Sequence, residues 1–368
     1  MNDKIELAKD IYSGPGPYKV NSRGILLDPH VLTDWCDTPV NFDHLESLSH
    51  QSIITVDQLD PRTVVELSRF AALLELSEIA EHHPLDGKLV ITAFFEASTR
   101  TRLSFEAAVL RLDGKVVSVQ DGRMTGVAKG ESLADIGEMF NTYGDLVIMR
   151  HTATDAMDRI RRNLQLPLIN AGNGTGEHPT QALTDWYTLL KWRPGIANSN
   201  IDESDRFDLG VVGTPASMRA VKSFLRLGLV FKEAIRSVTI VSEMAHPLGP
   251  DLTAELDASG LPYRVVSDIQ TDLKSFDVIY MNSIALLGGS YRQMDSRFKL
   301  HAESDLKPGA VILHPLARRE ELDRGLDTTP HNLYFAQAAS AVFIRQALLI
   351  CVLGRLGRVP MHLRRPSH

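Results

Sequence analysis

Phe94-Phe95-Glu96-Ala97-Ser98-Thr99-Arg100-Thr101-Arg102-Leu103-Ser104-Phe105-Glu106 is the stretch whose reading decides the fold. It follows an apolar run, Leu89-Val90-Ile91-Thr92-Ala93, that reads as a buried strand. It continues into a helical pattern with apolar positions at Leu103, Ala107, Leu110 and Leu112. Ser98, Thr99, Arg100 and Thr101 therefore fall at a strand-to-helix turn. The first N–H groups of a helix lack intrahelical partners, and the macrodipole places partial positive charge there. Hydroxyls and guanidinium groups added at that spot describe a phosphate site. A Ser-Thr pair alone would read as a helix cap. A cap needs one hydroxyl and no guanidinium, so the two arginines argue for an anion.

Around this stretch the chain runs to 368 residues, enough for two domains with separate cores. Its 43% hydrophobic and 23% charged residues are ordinary for a soluble globular protein. A net charge of −7 argues against a general nucleic-acid binder, though not against a local anion site. Cys36 and Cys351 are too few for a disulfide framework, which suits a reducing compartment. The first residues lack the basic and apolar regions of a signal peptide, and the apolar run 347–353 is too short to span a bilayer. A cytoplasmic location without membrane or nucleic-acid partners is expected.

Residues 1–47 are rich in Pro, Gly and Asp and read as an N-terminal extension. Val64, Leu67, Phe70, Leu73 and Leu74 recur at helical spacing, with Thr55 or Asp60 as the cap. Beyond the decisive stretch the helix should end near Asp113-Gly114, followed by a strand at 116–119. A glycine-punctuated loop at 122–130 holds Arg123, Thr125 and Lys129. The buried-type strand at 145–149 delivers Arg150 to its C-terminal end, where ligands of open parallel sheets gather. After a further strand at 168–172, His178-Pro179-Thr180-Gln181 opens a helix, with Pro suited to its first turn.

A second set of strands is expected at 207–213, 237–242, 263–266, 277–281 and 310–313, alternating with helices. Gly210 and Gly213 lack the third glycine of a dinucleotide fingerprint, so no nucleotide is predicted. Arg219 should lie on a helix that buries Val221, Phe224, Leu225 and Leu227, and a helix at 338–353 should return to the first domain. The fold class is α/β, with two domains, each a parallel sheet flanked by helices, joined by crossing helices. The expected divisions are 1–47, 48–185, 186–336 and 337–368.

Ser98-Thr99-Arg100-Thr101 resembles the carbamoyl-phosphate motif of the aspartate/ornithine carbamoyltransferase family, in the wording of its aspartate branch. Further family wording follows in order: Lys129-Gly130-Glu131-Ser132-Leu133-Ala134-Asp135, Arg150, His178-Pro179-Thr180-Gln181, His314-Pro315-Leu316-Ala317-Arg318 and Thr329-Pro330-His331-Asn332-Leu333-Tyr334-Phe335. The resemblance implies carbamoyl transfer from carbamoyl phosphate to an amino acid, with no cofactor and no metal. Ser98, Thr99, Arg100, Thr101 and Arg150 would hold the phosphate, and Lys129 would reach into the adjacent subunit's site. His178 and Arg100 would polarise the carbonyl, with Thr101 and Lys129 completing the catalytic set. Gln181 and the Leu316 carbonyl would orient the NH2, and Arg219 would bind the acceptor's α-carboxylate. A homotrimer with shared active sites, closing its domains to exclude water, is also implied, with room for regulatory or pathway partner chains.

Two departures from the family pattern stand out. Aspartate enzymes carry Thr-Arg-Val-Gln after the strand at 277–281, where the arginine and glutamine hold the aspartate β-carboxylate. This chain reads Asn282-Ser283-Ile284-Ala285. A charge-assisted bidentate contact is worth roughly 1.5–3 kcal/mol, so its loss weakens aspartate binding by about one to two decades. Arg292, a few residues on, is a candidate replacement. The second departure is Ala317, where the family has a proline after a cis bond. A non-proline cis bond costs about 2.5–4 kcal/mol, so the sequence leaves that geometry open. Aspartate, and with it pyrimidine biosynthesis, is the expected acceptor. A different amine-bearing acid and a non-catalytic scaffold paralogue are the alternatives.

Overall fold

The computed structural model describes residues 18–21, 24–27, 35–76, 82–119, 126, 130–282, 296–360 and 363. Lys129, Ser283, Ala285 and Arg292 lie outside the described residues. The chain divides into two compact units, Thr33–Tyr187 with Ala341–His368, and Met1–Leu32 with Thr188–Ser340.

In chain order, β1 (Tyr18–Asn21) and β2 (Gly24–Leu27) form an antiparallel pair. The first unit then holds α1 (Phe42–Leu45), α2 (Pro61–Leu76), β3 (Leu89–Phe94), α3 (Thr99–Arg111), β4 (Lys115–Val119) and α4 (Leu133–Tyr143). It continues through β5 (Leu146–His151), α5 (Ala156–Arg161), β6 (Leu168–Asn173) and α6 (Pro179–Trp192), the last crossing the division between the units. Its sheet is parallel, in the order β4-β3-β5-β6. The run from Leu89 is apolar because β3 is an inner strand, buried along nearly its whole length. Ile91, Ala93, Val147, Met149 and Leu168 pack with Ile136 and Phe140 of α4 and Met157 and Ile160 of α5. Each fully buried large side chain of this kind contributes roughly 1.5–3 kcal/mol.

Three details differ from the sequence expectation. The 1–47 segment is not one extension: Trp35, Val40 and Leu45 are buried, and Phe42 meets Phe70 edge-on at 5.2 Å. The Asn41 N–H also donates to Glu66 of α2 at 2.8 Å. These apolar residues are too widely spaced to show a period. Next, α3 buries Thr101, Phe105, Ala108 and Val109, while Leu103 and Leu110 are 50% and 60% exposed. Two stripes with i, i+7 spacing compete on this helix, and the one carrying Phe105 wins the core. Last, at the end of α3 it is Asp113 that takes the left-handed φ of 64°, with the Gly114 N–H donating to the Val109 carbonyl at 3.0 Å. A Cβ on Gly114 would sit 2.7 Å from Val109 Cγ1, so glycine is required there for close approach.

The second unit holds β7 (Phe207–Val212), α7 (Arg219–Gly228), β8 (Ile235–Val241), α8 (Pro250–Ser259), β9 (Tyr263–Val266), β10 (Val278–Tyr280) and β11 (Val311–Leu313). Its sheet is parallel, in the order β11-β10-β7-β8-β9. The face of α7 expected inside is inside, with Phe224 stacked on Tyr280 at 4.1 Å. The final helix, α9 (Tyr334–Val352), crosses the second division. It starts earlier than the sequence pattern suggests and is long and apolar enough to span a bilayer by composition. Yet 72% of its apolar window is buried inside the protein, as befits a core helix.

Candidate active site

Parallel sheets place ligands at the point where the strand order reverses. In the first unit that point lies between β3 and β5, since the chain passes from β3 outward to β4 and returns to β5 on the other side. Ser98–Thr101 follow β3, and Arg150 sits at the end of β5, with Phe94 paired to Arg150 across the two strands. His178 and Gln181 follow β6, the next strand over. Three neighbouring strand ends of the first unit therefore carry Ser98–Thr101, Arg150, His178 and Gln181, while Leu316 follows β11 of the second.

The Ser98 backbone is extended at the N-cap of α3, but its side chain makes no capping hydrogen bond. This removes the reading of the Ser-Thr pair as a simple cap. Thr99 and Arg100 are exposed, and Thr101 is buried. Partial desolvation of its guanidinium lowers Arg100 from its ordinary pKa even though the residue as a whole is exposed. Arg150 is held by a carboxylate the sequence reading had not singled out, with Nη2 donating to Glu96 Oε1 at 2.7 Å. Its Nη1 donates to the Ala171 carbonyl at 3.3 Å. Beside it, burial and then Arg159 lower the pKa of His151, whose Nδ1 accepts from the Ala153 N–H.

The turn that delivers His178 is built from buried amides. Asn170 Nδ2 donates to Asn173 Oδ1 and to the Ile54 carbonyl, and its Oδ1 accepts from the Gly172 N–H. Asn173 Oδ1 also accepts from the Glu177 N–H at 2.9 Å, while Glu177 Oε2 accepts from the Val56 N–H at 2.8 Å. These bonds satisfy a buried loop backbone that would otherwise carry a large penalty. His178 is 4% exposed at the start of α6, with Nδ1 3.4 Å from Thr180 Oγ1. Gln181 Nε2 donates to Asp185 Oδ1 at 2.7 Å. The i, i+4 spacing of Gln181 and Asp185 could have signalled that pair.

In the second unit the order reverses between β7 and β10. Arg219 opens the helix after β7, as expected of an anion-binding position. The segment after β10, where the acceptor departures fall, lies outside the described residues from Ser283. Leu316 follows β11, and the Leu316-Ala317 bond is cis, with Leu316 φ at 52°. The Leu316 N–H donates to His314 Nδ1 at 2.8 Å, which leaves the proton on Nε2 to be donated to Glu321 Oε1 at 2.9 Å. Both side chains are fully buried. Burial would raise the Glu321 carboxyl, but hydrogen bonds from His314 and the Arg319 N–H outweigh it and hold the group below its ordinary range. Arg318 forks onto Asp327, which also accepts from the Tyr334 hydroxyl. Among the described residues no cluster of His, Cys, Asp and Glu could hold a metal ion.

An aspartate carbamoyltransferase catalytic subunit of Korarchaeum cryptofilum is 34% identical over 309 residues, spanning 82% of this chain and 98% of that one. This chain belongs to the aspartate/ornithine carbamoyltransferase family. The family model described as aspartate/ornithine carbamoyltransferase, carbamoyl-P binding domain, matches residues 51–191. The chloroplastic aspartate carbamoyltransferase of Arabidopsis thaliana is 36% identical over 274 residues, 72% of this chain and 67% of that one. Among solved structures, the aspartate transcarbamoylase of Trypanosoma cruzi in complex with carbamoyl aspartate and phosphate superimposes with a TM-score of 0.74 at 30% identity. It covers 84% of this chain and 98% of that one. The carbamoyltransferase fold, two parallel sheets flanked by helices, is thus shared along most of the chain.

Proposed function

We propose that this enzyme moves the carbamoyl group of carbamoyl phosphate to the amino group of aspartate, giving N-carbamoyl-aspartate, a step of pyrimidine biosynthesis. The observation that carries the reading is the C-terminal edge of β3, β5 and β6, which gathers Ser98–Thr101, Arg150, His178 and Gln181. Relatives named as aspartate carbamoyltransferases, and a similar structure holding carbamoyl aspartate and phosphate, support aspartate as the acceptor.

The hydroxyls, the free N–H groups of α3 and the guanidinium groups of Arg100 and Arg150 bind the phosphate. Arg100 and His178 donate to the carbonyl oxygen, so the negative charge that grows there as the uncharged amine attacks meets fixed donors. Gln181 and the Leu316 carbonyl accept from the carbamoyl NH2, and Arg219 holds the acceptor's α-carboxylate. The tetrahedral species collapses by breaking the bond to phosphate, and the departing phosphate takes the proton that the attacking nitrogen gives up and leaves from the same cationic cradle.

The sequence Asn282-Ser283-Ile284-Ala285 favours a second reading, in which another amine-bearing acid is the acceptor. A transfer assay with labelled carbamoyl phosphate and a panel of amines separates the two. Product from aspartate supports the first reading, and product from another amine alone supports the second.

We also propose a homotrimer with shared sites. The β4 edge of the sheet is unpaired among the described strands, and Leu103, Leu110 and Val117 form exposed apolar surface on α3 and β4. Mixing inactive Lys129→Ala and Arg100→Ala chains should restore activity by pairing an intact Lys129 with an intact Arg100. No recovery in hybrid oligomers would exclude sharing.

A further inference from the structure

Arg345 of α9 is 2% exposed, nearly as deep as the apolar residues beside it. Its guanidinium lies 4.5 Å from the Phe105 ring centroid, and Nη1 donates to Ser104 Oγ. Arginine has no acceptor, so the Ser104 oxygen must accept from it and the Ser104 proton must go elsewhere. It goes to the Arg100 and Thr101 carbonyls, in the first turn of the phosphate helix. Burial pulls Arg345 down to about 9, and the opposing influence is the carboxylate of Asp185. Asp185 is fully buried one helical turn beyond Gln181 and accepts from Gln181 Nε2.

The chemistry of Gln181 shows what Asp185 can do there. A side-chain amide has a donor end and an acceptor end, and either can face a ligand. A carboxylate only accepts, so Asp185 takes the donor end and leaves Oε1 for the ligand. A carbamoyl NH2 is a donor and needs that acceptor, whereas an amide turned the other way would oppose donor to donor.

We propose that Asp185 is a positioning residue that turns Gln181 so that Oε1 faces the carbamoyl NH2, and that it thereby selects carbamoyl phosphate over acyl phosphates lacking an NH2. The inference rests on the carbamoyl-transfer reading and deepens it. It assigns donor selectivity to a residue that touches no substrate.

The test is isothermal titration of the purified full-length protein with carbamoyl phosphate, acetyl phosphate and inorganic phosphate. The wild type should prefer carbamoyl to acetyl phosphate by about ten-fold, as a well-placed hydrogen bond allows. Asp185→Leu, which has no acceptor, should bring the two within about two-fold and leave inorganic phosphate unchanged, while Asp185→Glu should recover part of the preference. If Asp185→Leu does not fold, Asp185→Leu with Arg345→Met removes both buried charges and is read the same way. A wild type without the preference overturns the proposal. So does a folded variant that keeps it, or one that weakens all three ligands equally, which is what a merely structural role gives. A wild type that keeps the preference yet forms no N-carbamoyl-aspartate would sink the acceptor reading alone.

Discussion

In the proposed site, the sheet of the first unit presents Ser98–Thr101, Arg150, His178 and Gln181 beyond three neighbouring strand ends. The sheet of the second unit carries Arg219 and Leu316 in the same way, but the family's side-chain-binding positions fall at Ser283 and Ala285, in a longer connection after β10. The donor side retains the family residues, and the departures gather on the acceptor side or beside it. Phosphate recognition draws on backbone N–H groups, a helix dipole and fixed cations, and this leaves little freedom in sequence. Under the proposed reading, acceptor recognition rests on individual side chains, and loop side chains can change without disturbing a sheet.

The contrast is open to attack from both sides. Arg100→Ala should lower kcat by about a thousand-fold, as loss of a transition-state donor does. The thermal midpoint should stay within about 2 °C, because an exposed side chain contributes little to stability. An active Arg100→Ala enzyme would break the donor-site assignment. Arg219→Ala should raise KM for aspartate by about 10- to 100-fold through loss of a charge-assisted contact, with KM for carbamoyl phosphate unchanged. Parallel rises in both would mean that the two sides are not separable. Restoring the family residues with Ser283→Arg and Ala285→Gln should tighten aspartate by about ten-fold. Weaker aspartate binding in that variant would show that this connection follows a different path from its relatives.

The smallest expected effect concerns the support beneath Leu316. Glu321→Gln removes a buried carboxylate that accepts from His314 and from the Arg319 N–H, and should cost about 1–3 kcal/mol at neutral pH. Because the folded-state pKa of Glu321 is depressed, its ionised form stabilises the fold above the ordinary carboxylate value of about 4.3. That contribution is lost as the pH falls through the folded value. Urea unfolding should therefore separate wild type from variant at neutral pH and bring them together in acid. A gap that persists in acid would mean that Glu321 acts by shape and not by charge.

The strand and helix starts that carry the proposed donor residues were legible in the residue pattern because their signals are short-range. Leu89–Phe94 is an uninterrupted apolar run, Ser98–Thr101 are its immediate continuation, and His178-Pro179-Thr180-Gln181 carries its own helix-start chemistry. What the pattern missed is long-range. Glu96 is in the quoted stretch, but its partner Arg150 is 54 residues away, and Ser104 meets Arg345 across 241. The apolar residues of α3 were visible, yet periodicity does not say which of two stripes faces the sheet. Trp35, Val40 and Leu45 lacked a period, so their burial could only be seen in place.

By itself the sequence determined the class of chemistry. Hydroxyls and arginines together at a helix start favour an anion, and local propensity is enough to build that turn. It also determined the two parallel sheets, since alternating apolar runs and helices leave few other ways to bury both. The tertiary structure decided which groups face one another. Burial puts Asp185, Arg345, His314 and Glu321 out of water, where each must find a partner or pay the full cost of desolvation. For Arg345 that partner is Ser104, 241 residues away, and for Arg150 it is Glu96, 54 away; no local pattern encodes either pairing.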